Sequence, residues 1–103
     1  MTRPIAALAA FSFAILLSHA AVAANAHQGG VLAKRWCATC HVVAADQKNG
    51  STQAPPFSAI AKKPRLTAAS IALFLLRPHP PMPDMNLTRN EAGDLAAYIE
   101  SQK

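Results

Sequence analysis

Cys37, Cys40 and His41 fall within one five-residue run, Cys37-Ala38-Thr39-Cys40-His41, and the 103-residue chain contains no other cysteine. Cys-x-x-Cys-His is the attachment signature of a covalent haem. Two thiols at this spacing can each add to a vinyl group as thioethers, and the adjacent imidazole is delivered to one axial face of the iron. A structural zinc site would want four protein ligands, commonly with a second pair of similar spacing, and the remaining histidines, His19, His27 and His79, form no such pair. A redox-active dithiol would need a βαβ context, and no strand-like alternation flanks Trp36 or Val42.

The first residues speak to location. Arg3, an apolar stretch from Ile5 to Leu17 and a small-residue segment from Ser18 to Ala26 together read as a secretory signal peptide over residues 1–26. Two cleavage positions satisfy the small-x-small rule, after Ala23 and after Ala26. A retained membrane anchor is the less favoured reading: ~20 apolar residues can span a bilayer, but alanine dominates the second half of this stretch. Cleavage leaves 77 to 80 residues, one domain over 27–103 that is too small for a generous core of side chains alone. A covalently held haem supplies the missing apolar area and cross-links the chain, as a staple does in other small scaffolds.

That domain carries nine Lys and Arg against five Asp and Glu. A mild positive balance can steer docking onto an acidic redox partner, and nucleic acid is excluded as a partner by export. The basic residues are scattered except for Lys62, Lys63 and Arg65, which read as a solvated turn or, more sharply, as a rim contacting a partner or a haem propionate.

Helices separated by loops are expected. The first runs from about Gln28 or Gly29 to Trp36, turning Val31, Leu32 and Trp36 inward. Asp46 to Gln53 is a polar loop with a turn at Asn49-Gly50, and Pro55-Pro56 bars helix there. Phe57 to Lys62 forms a short helical turn that Pro64 stops. Thr67 is an N-cap for a helix through Leu76, ended by Pro78, and the apolar residues on nearly all sides of its end predict deep burial against the haem or in an ordinary core. Pro80, Pro81 and Pro83 make His79 to Asn86 a rigid extended loop. Thr88-Arg89-Asn90-Glu91 is a capping box opening a last, amphipathic helix with Ala92, Leu95, Ala96 and Ile99 at helical spacing.

Electron transfer is fast when both axial ligands stay on the iron, and a thioether opposite histidine raises the potential. Met82, between Pro81 and Pro83, is the preferred second ligand because the loop backbone is stiff there. Met85 is the next candidate; His79 would give a bis-histidine iron of lower potential, and an open site is the last. With Met82 bound, Met85 becomes a packing residue and His79 a loop residue exposed to water.

Taken together, the chain resembles a small bacterial class I cytochrome c, the soluble monohaem family, over essentially all of residues 27–103. The resemblance rests on Cys37 to His41, on Ala54-Pro55-Pro56-Phe57, on Pro81-Met82-Pro83 and on Glu91 to Ile99. It implies an all-α cytochrome c fold of three to four helices and long loops around one covalent haem c. It further implies that Cys37 and Cys40 hold the vinyl groups, that His41 binds iron through Nε2, and that the Pro55 carbonyl accepts a hydrogen bond from His41 Nδ1. Met82 lies twelve residues before Asp94 and Met85 nine, and the family's spacing favours the former. Gly29, with Gly30 as an adjacent competitor, and Tyr98 match the family's crossing of first and last helices. A tryptophan usual after the proximal loop is missing, which leaves one propionate without an assigned partner; Trp36 packs near the haem edge or is an ordinary helix residue.

The expected function is that of an exported, periplasmic one-electron carrier that is not an enzyme, working between redox proteins such as a dehydrogenase, reductase or oxidase. The alternatives are a haem enzyme or gas sensor whose distal site opens when Met82 leaves, and a dedicated electron-accepting subunit of one exported dehydrogenase.

Overall fold

The computed structural model describes residues 23–50, 54–77 and 79–103. Most of the expected signal peptide, up to residue 22, the end of the polar loop and Pro78 lie outside the described residues. Four helices form the frame: α1 (Ala26–Trp36), α2 (Phe57–Ala61), α3 (Ala68–Leu75) and α4 (Arg89–Glu100). Apart from an isolated antiparallel bridge between His79 and Met82, there is no β-pairing among the described residues.

Three of the four helices, α1, α3 and α4, start where a side chain can satisfy their first amides, while α2 follows Pro56 without a side-chain cap. Asn25 caps α1 by accepting from the Gln28 N–H at 3.1 Å, which places the start slightly ahead of the expected Gln28 or Gly29. Thr67 and Ser70 cap α3 reciprocally, Ser70 N–H donating to Thr67 Oγ1 at 3.1 Å and Thr67 N–H to Ser70 Oγ at 3.0 Å. At α4 the Thr88–Glu91 box closes as the sequence predicts, with bonds of 3.1 Å and 2.8 Å.

Helix α4 is the hub, packing against each of the other three. Its Ala92, Leu95, Ala96 and Ile99 are buried, and the last three meet Leu32, Ala33, Phe57 and Ile71 in one core. The closest approach is the crossing of α1 and α4. A Cβ built on Gly29 would fall onto the backbone carbonyl of Asp94 and 2.8 Å from Tyr98 Cβ, so glycine is what lets the two helices meet. At Gly30 a Cβ would meet the Tyr98 ring, 2.9 Å from Cε2. Gly29 is therefore the backbone contact, and Gly30 seats the aromatic ring. The crossing is tied at its end by Asn25 N–H, which donates to Asp94 Oδ1 at 2.7 Å.

Helix α3 is covered by protein along a single stripe, Ala68, Ile71, Ala72 and Leu75, at helical spacing, with α4 as its principal helical neighbour. Phe74 and Leu75 border a cavity, whereas Leu73 is 61 % exposed and does not, which corrects the expectation of burial on nearly all sides at that residue. Nor is the proline-rich loop simply extended. Between His79 and Met82 the chain reverses through a cis Pro80–Pro81 peptide, and Met82 N–H donates to the His79 carbonyl at 2.8 Å.

Candidate functional site

The turn carrying Cys37, Cys40 and His41 continues directly from α1. Cys37 N–H still donates to Ala33 at 2.9 Å, and Cys40 and His41 N–H groups both fold back onto the Cys37 carbonyl, at 3.1 and 2.8 Å. Cys37 is buried and Cys40 exposed, and no disulfide joins them. Burial, reinforced by the neighbouring Cys40, pushes the Cys37 thiol up to about 11, so at neutral pH it is a protonated, apolar-facing group.

His41 is oriented from outside the turn. Its Nδ1 lies 2.6 Å from the Pro55 carbonyl oxygen, which fixes Nδ1–H as the donor and leaves Nε2 as the nitrogen with a free lone pair. Its ring also sits against Phe57, centroids 5.3 Å apart. Pro55 is where it is because Phe57 N–H donates to the Val42 carbonyl at 2.9 Å, tying the residues after Pro55 to the residue after His41.

Sequence reasoning missed the residue that organises this loop. Gln47 Oε1 accepts from Val43 N–H at 2.8 Å, and the two N–H groups of its Nε2 are shared among three carbonyls, those of Asn49 (2.6 Å), His41 (3.0 Å) and Ala38 (3.2 Å). Tyr98 adds a bond from α4, its hydroxyl donating to the Val43 carbonyl at 2.7 Å. A lone polar residue inside a polar loop carries no periodic or motif signal, so nothing in the sequence distinguishes Gln47 from its neighbours.

These elements border a cavity of about 370 Å³, within the roughly 300–1,000 Å³ typical of cofactor sites. Cys37, His41 and Pro55 line it, together with an apolar wall that includes Phe57, Ile60, Ile71, Leu75, Leu95 and Ile99. Met82 and His79 also line it, and Met85 is not among its lining residues. Cys40 stands outside the lining, three residues along the turn from Cys37. Contrary to expectation, His79 is not a water-exposed loop residue. It is half-buried and its ring lies against Phe74, centroids 4.0 Å apart.

The remaining candidates sort differently. Lys62, Lys63 and Arg65 are all exposed, and of the three only Lys63 lines the cavity. Trp36 packs partly buried against the core and does not line it; the Arg35 guanidinium lies 5.7 Å from the Trp36 ring centroid.

Among the described residues no three His, Cys, Asp or Glu side chains come together to hold a bare metal ion. The imidazoles of His41 and His79 and the Met82 thioether on a largely apolar cavity suit a metal whose remaining ligands come from a ring, and the buried Cys37 on the cavity wall is placed for covalent capture of that ring's edge.

Comparisons with known proteins agree. The family model described as Cytochrome c matches residues 26–103. A protein from Bradyrhizobium diazoefficiens named Cytochrome c-552 is 52% identical over 84 residues, covering 82% of this chain and 81% of that one. No solved structure matches the chain. An all-α frame centred on α4, an apolar cavity reached from a Cys-x-x-Cys-His turn and a family match over the whole described domain lead to one conclusion: the chain belongs to the cytochrome c family.

Proposed function

We propose that this cytochrome is an exported one-electron carrier whose haem c is held by Cys37 and Cys40, with His41 Nε2 and Met82 sulfur as the axial ligands. Membership of the family and the resemblance to a cytochrome c-552 support an electron carrier with haem c. The observation that carries the finer reading is that His41 and Met82 line one apolar cavity, with the His41 ring turned by the Pro55 carbonyl so that Nε2 is the free nitrogen.

When bound, haem c supplies a one-electron iron couple. The chain does the rest by holding still. Pro55 anchors the imidazole and makes it a better donor. Pro81 and Pro83 limit the backbone freedom around Met82. The apolar wall keeps water away from the iron, and with two uncharged ligands it favours the less charged, ferrous form, which raises the potential. The mildly basic composition suits an acidic redox partner, and the leader-like first residues support an encounter in the periplasm. No helix among the described residues is long and apolar enough to cross a membrane.

The test is optical and electrochemical. The oxidised holoprotein should show a sulfur-to-iron charge-transfer band that survives Met85→Ala and disappears, with a fall in potential, in Met82→Ala. Loss of the band in Met85→Ala and its retention in Met82→Ala would reassign the ligand. A high-spin resting protein that binds cyanide or carbon monoxide rapidly would instead favour the sensor or enzyme.

A further inference from the structure

We infer that His79 is a built-in reserve ligand, which takes the iron's distal position when Met82 leaves and keeps it closed to small molecules. The inference rests on Met82 being the resident ligand. It is carried by three features of the turn that bears both residues.

First, His79 and Met82 stand opposite each other across an antiparallel bridge, with Met82 N–H donating to the His79 carbonyl at 2.8 Å. Residues directly opposed in this way project their side chains to the same face. Both accordingly line the cavity that His41 enters. Replacing one donor by the other therefore asks for a side-chain rotation and a small shift of one turn, with no refolding.

Second, the His79 ring is prepared as His41 is. Its Nδ1 lies 3.3 Å from the Arg77 carbonyl oxygen, longer than the 2.6 Å at His41 but of the same kind. With Nδ1 donating, Nε2 keeps its lone pair for a metal. A backbone carbonyl behind the ring is the usual partner of a metal-bound histidine.

Third, the ring has a resting place that keeps it near the site. It lies against Phe74, which also borders the cavity. Stacked there, His79 leaves the distal position to the sulfur while staying on the lining of the same cavity, paired with Met82 across one turn. The exchange breaks one iron–sulfur bond and makes one iron–nitrogen bond, with no electron or proton transferred. Its consequence is protective: loss of the thioether yields a low-potential, six-coordinate iron in place of an open one.

The experiment compares holoproteins bearing Met82→Ala, Met82→Leu and each of these combined with His79→Ala, by electron paramagnetic resonance and by cyanide binding. In Met82→Ala we expect a low-spin ferric signal of the bis-imidazole type without the sulfur charge-transfer band. Adding His79→Ala should convert it to high-spin and tighten apparent cyanide affinity by about tenfold or more, the factor for a competitor occupying nine-tenths of the sites. Met82→Leu, which keeps the side-chain volume, gives the same comparison should the alanine variant hold haem poorly. A high-spin Met82→Ala protein whose cyanide affinity matches the double variant overturns the inference, and so does a double variant that stays low-spin. Retention of the sulfur band in Met82→Ala overturns the Met82 assignment itself, and this inference with it.

Discussion

Replacing Gly29 by alanine tests whether the crossing of α1 and α4 sets the stability of the domain. The new Cβ would fall on the Asp94 carbonyl, a backbone atom of a capped helix, so the strain can be relieved only by moving one helix off the other. Overpacking typically costs ~1–3 kcal/mol, and an immovable obstacle argues for the upper end. Separation would also loosen the bond from Asn25 N–H to Asp94, a loss of about 1 kcal/mol. Against this, alanine is about 1 kcal/mol better than glycine in a helix interior. The balance is a destabilisation of about 2 to 3 kcal/mol, which for a domain of this size lowers the melting temperature by roughly 10–20 °C. Gly93 provides the control, because a Cβ there meets nothing within 4 Å, and Gly93→Ala should stabilise by about 0.5–1 kcal/mol. Thermal and urea unfolding of the holoproteins, in which covalent haem accompanies both states, give the comparison. A Gly29→Ala protein within about 0.5 kcal/mol of the parent, the usual spread of surface changes, would refute the argument.

Other side chains make separate predictions. Gln47→Ala should cost about 2 kcal/mol in urea unfolding by releasing the loop around His41, and Gln47→Glu should be worse at neutral pH because its carboxylate faces the three carbonyls that the amide now serves; a glutamate variant as stable as the parent would contradict this. Tyr98→Phe leaves the Val43 carbonyl without its hydroxyl partner and should cost about 1 kcal/mol. Burial, and then the charge of Asp46, raise the Tyr98 hydroxyl above its ordinary value of 10.0. Its contribution is thus complete below about pH 10 and is lost as the pH rises through the raised value. The stability difference between parent and Tyr98→Phe should shrink over that alkaline range, and a difference constant with pH would count against the bond.

Much of this frame is written in local chemistry. Thr88 and Glu91 announce α4, Thr67 announces α3, and Gly29 and Tyr98 mark the crossing, because caps and close approaches need particular residue types at fixed spacing. What escapes is settled by position in space. Leu73 looks like a core residue, yet α3 has one principal helical neighbour and buries one stripe. His79 reads as a loop residue because its value comes from a chain reversal that brings it beside Met82 and against Phe74. Gln47 is the clearest case: an amide can serve four backbone groups only once the loop has closed around it, and no spacing rule foretells that closure.

The cap at Asn25 also bears on how the protein is made. Its side chain accepts from Gln28 N–H, its own N–H reaches Asp94 on α4, and Ala26 is already the first residue of α1. Processing after Ala26 would cut away the cap and the tie together, at a cost of about 1 kcal/mol for the cap alone. Processing after Ala23 would spare both and bring a positively charged terminus close to Asp94. Of the two cuts that the sequence allows, the one after Ala23 keeps both contacts. A processed chain is therefore expected to begin at Ala24, which its intact mass would read directly, whereas a chain beginning at His27 would show that the domain holds α1 in place without its cap.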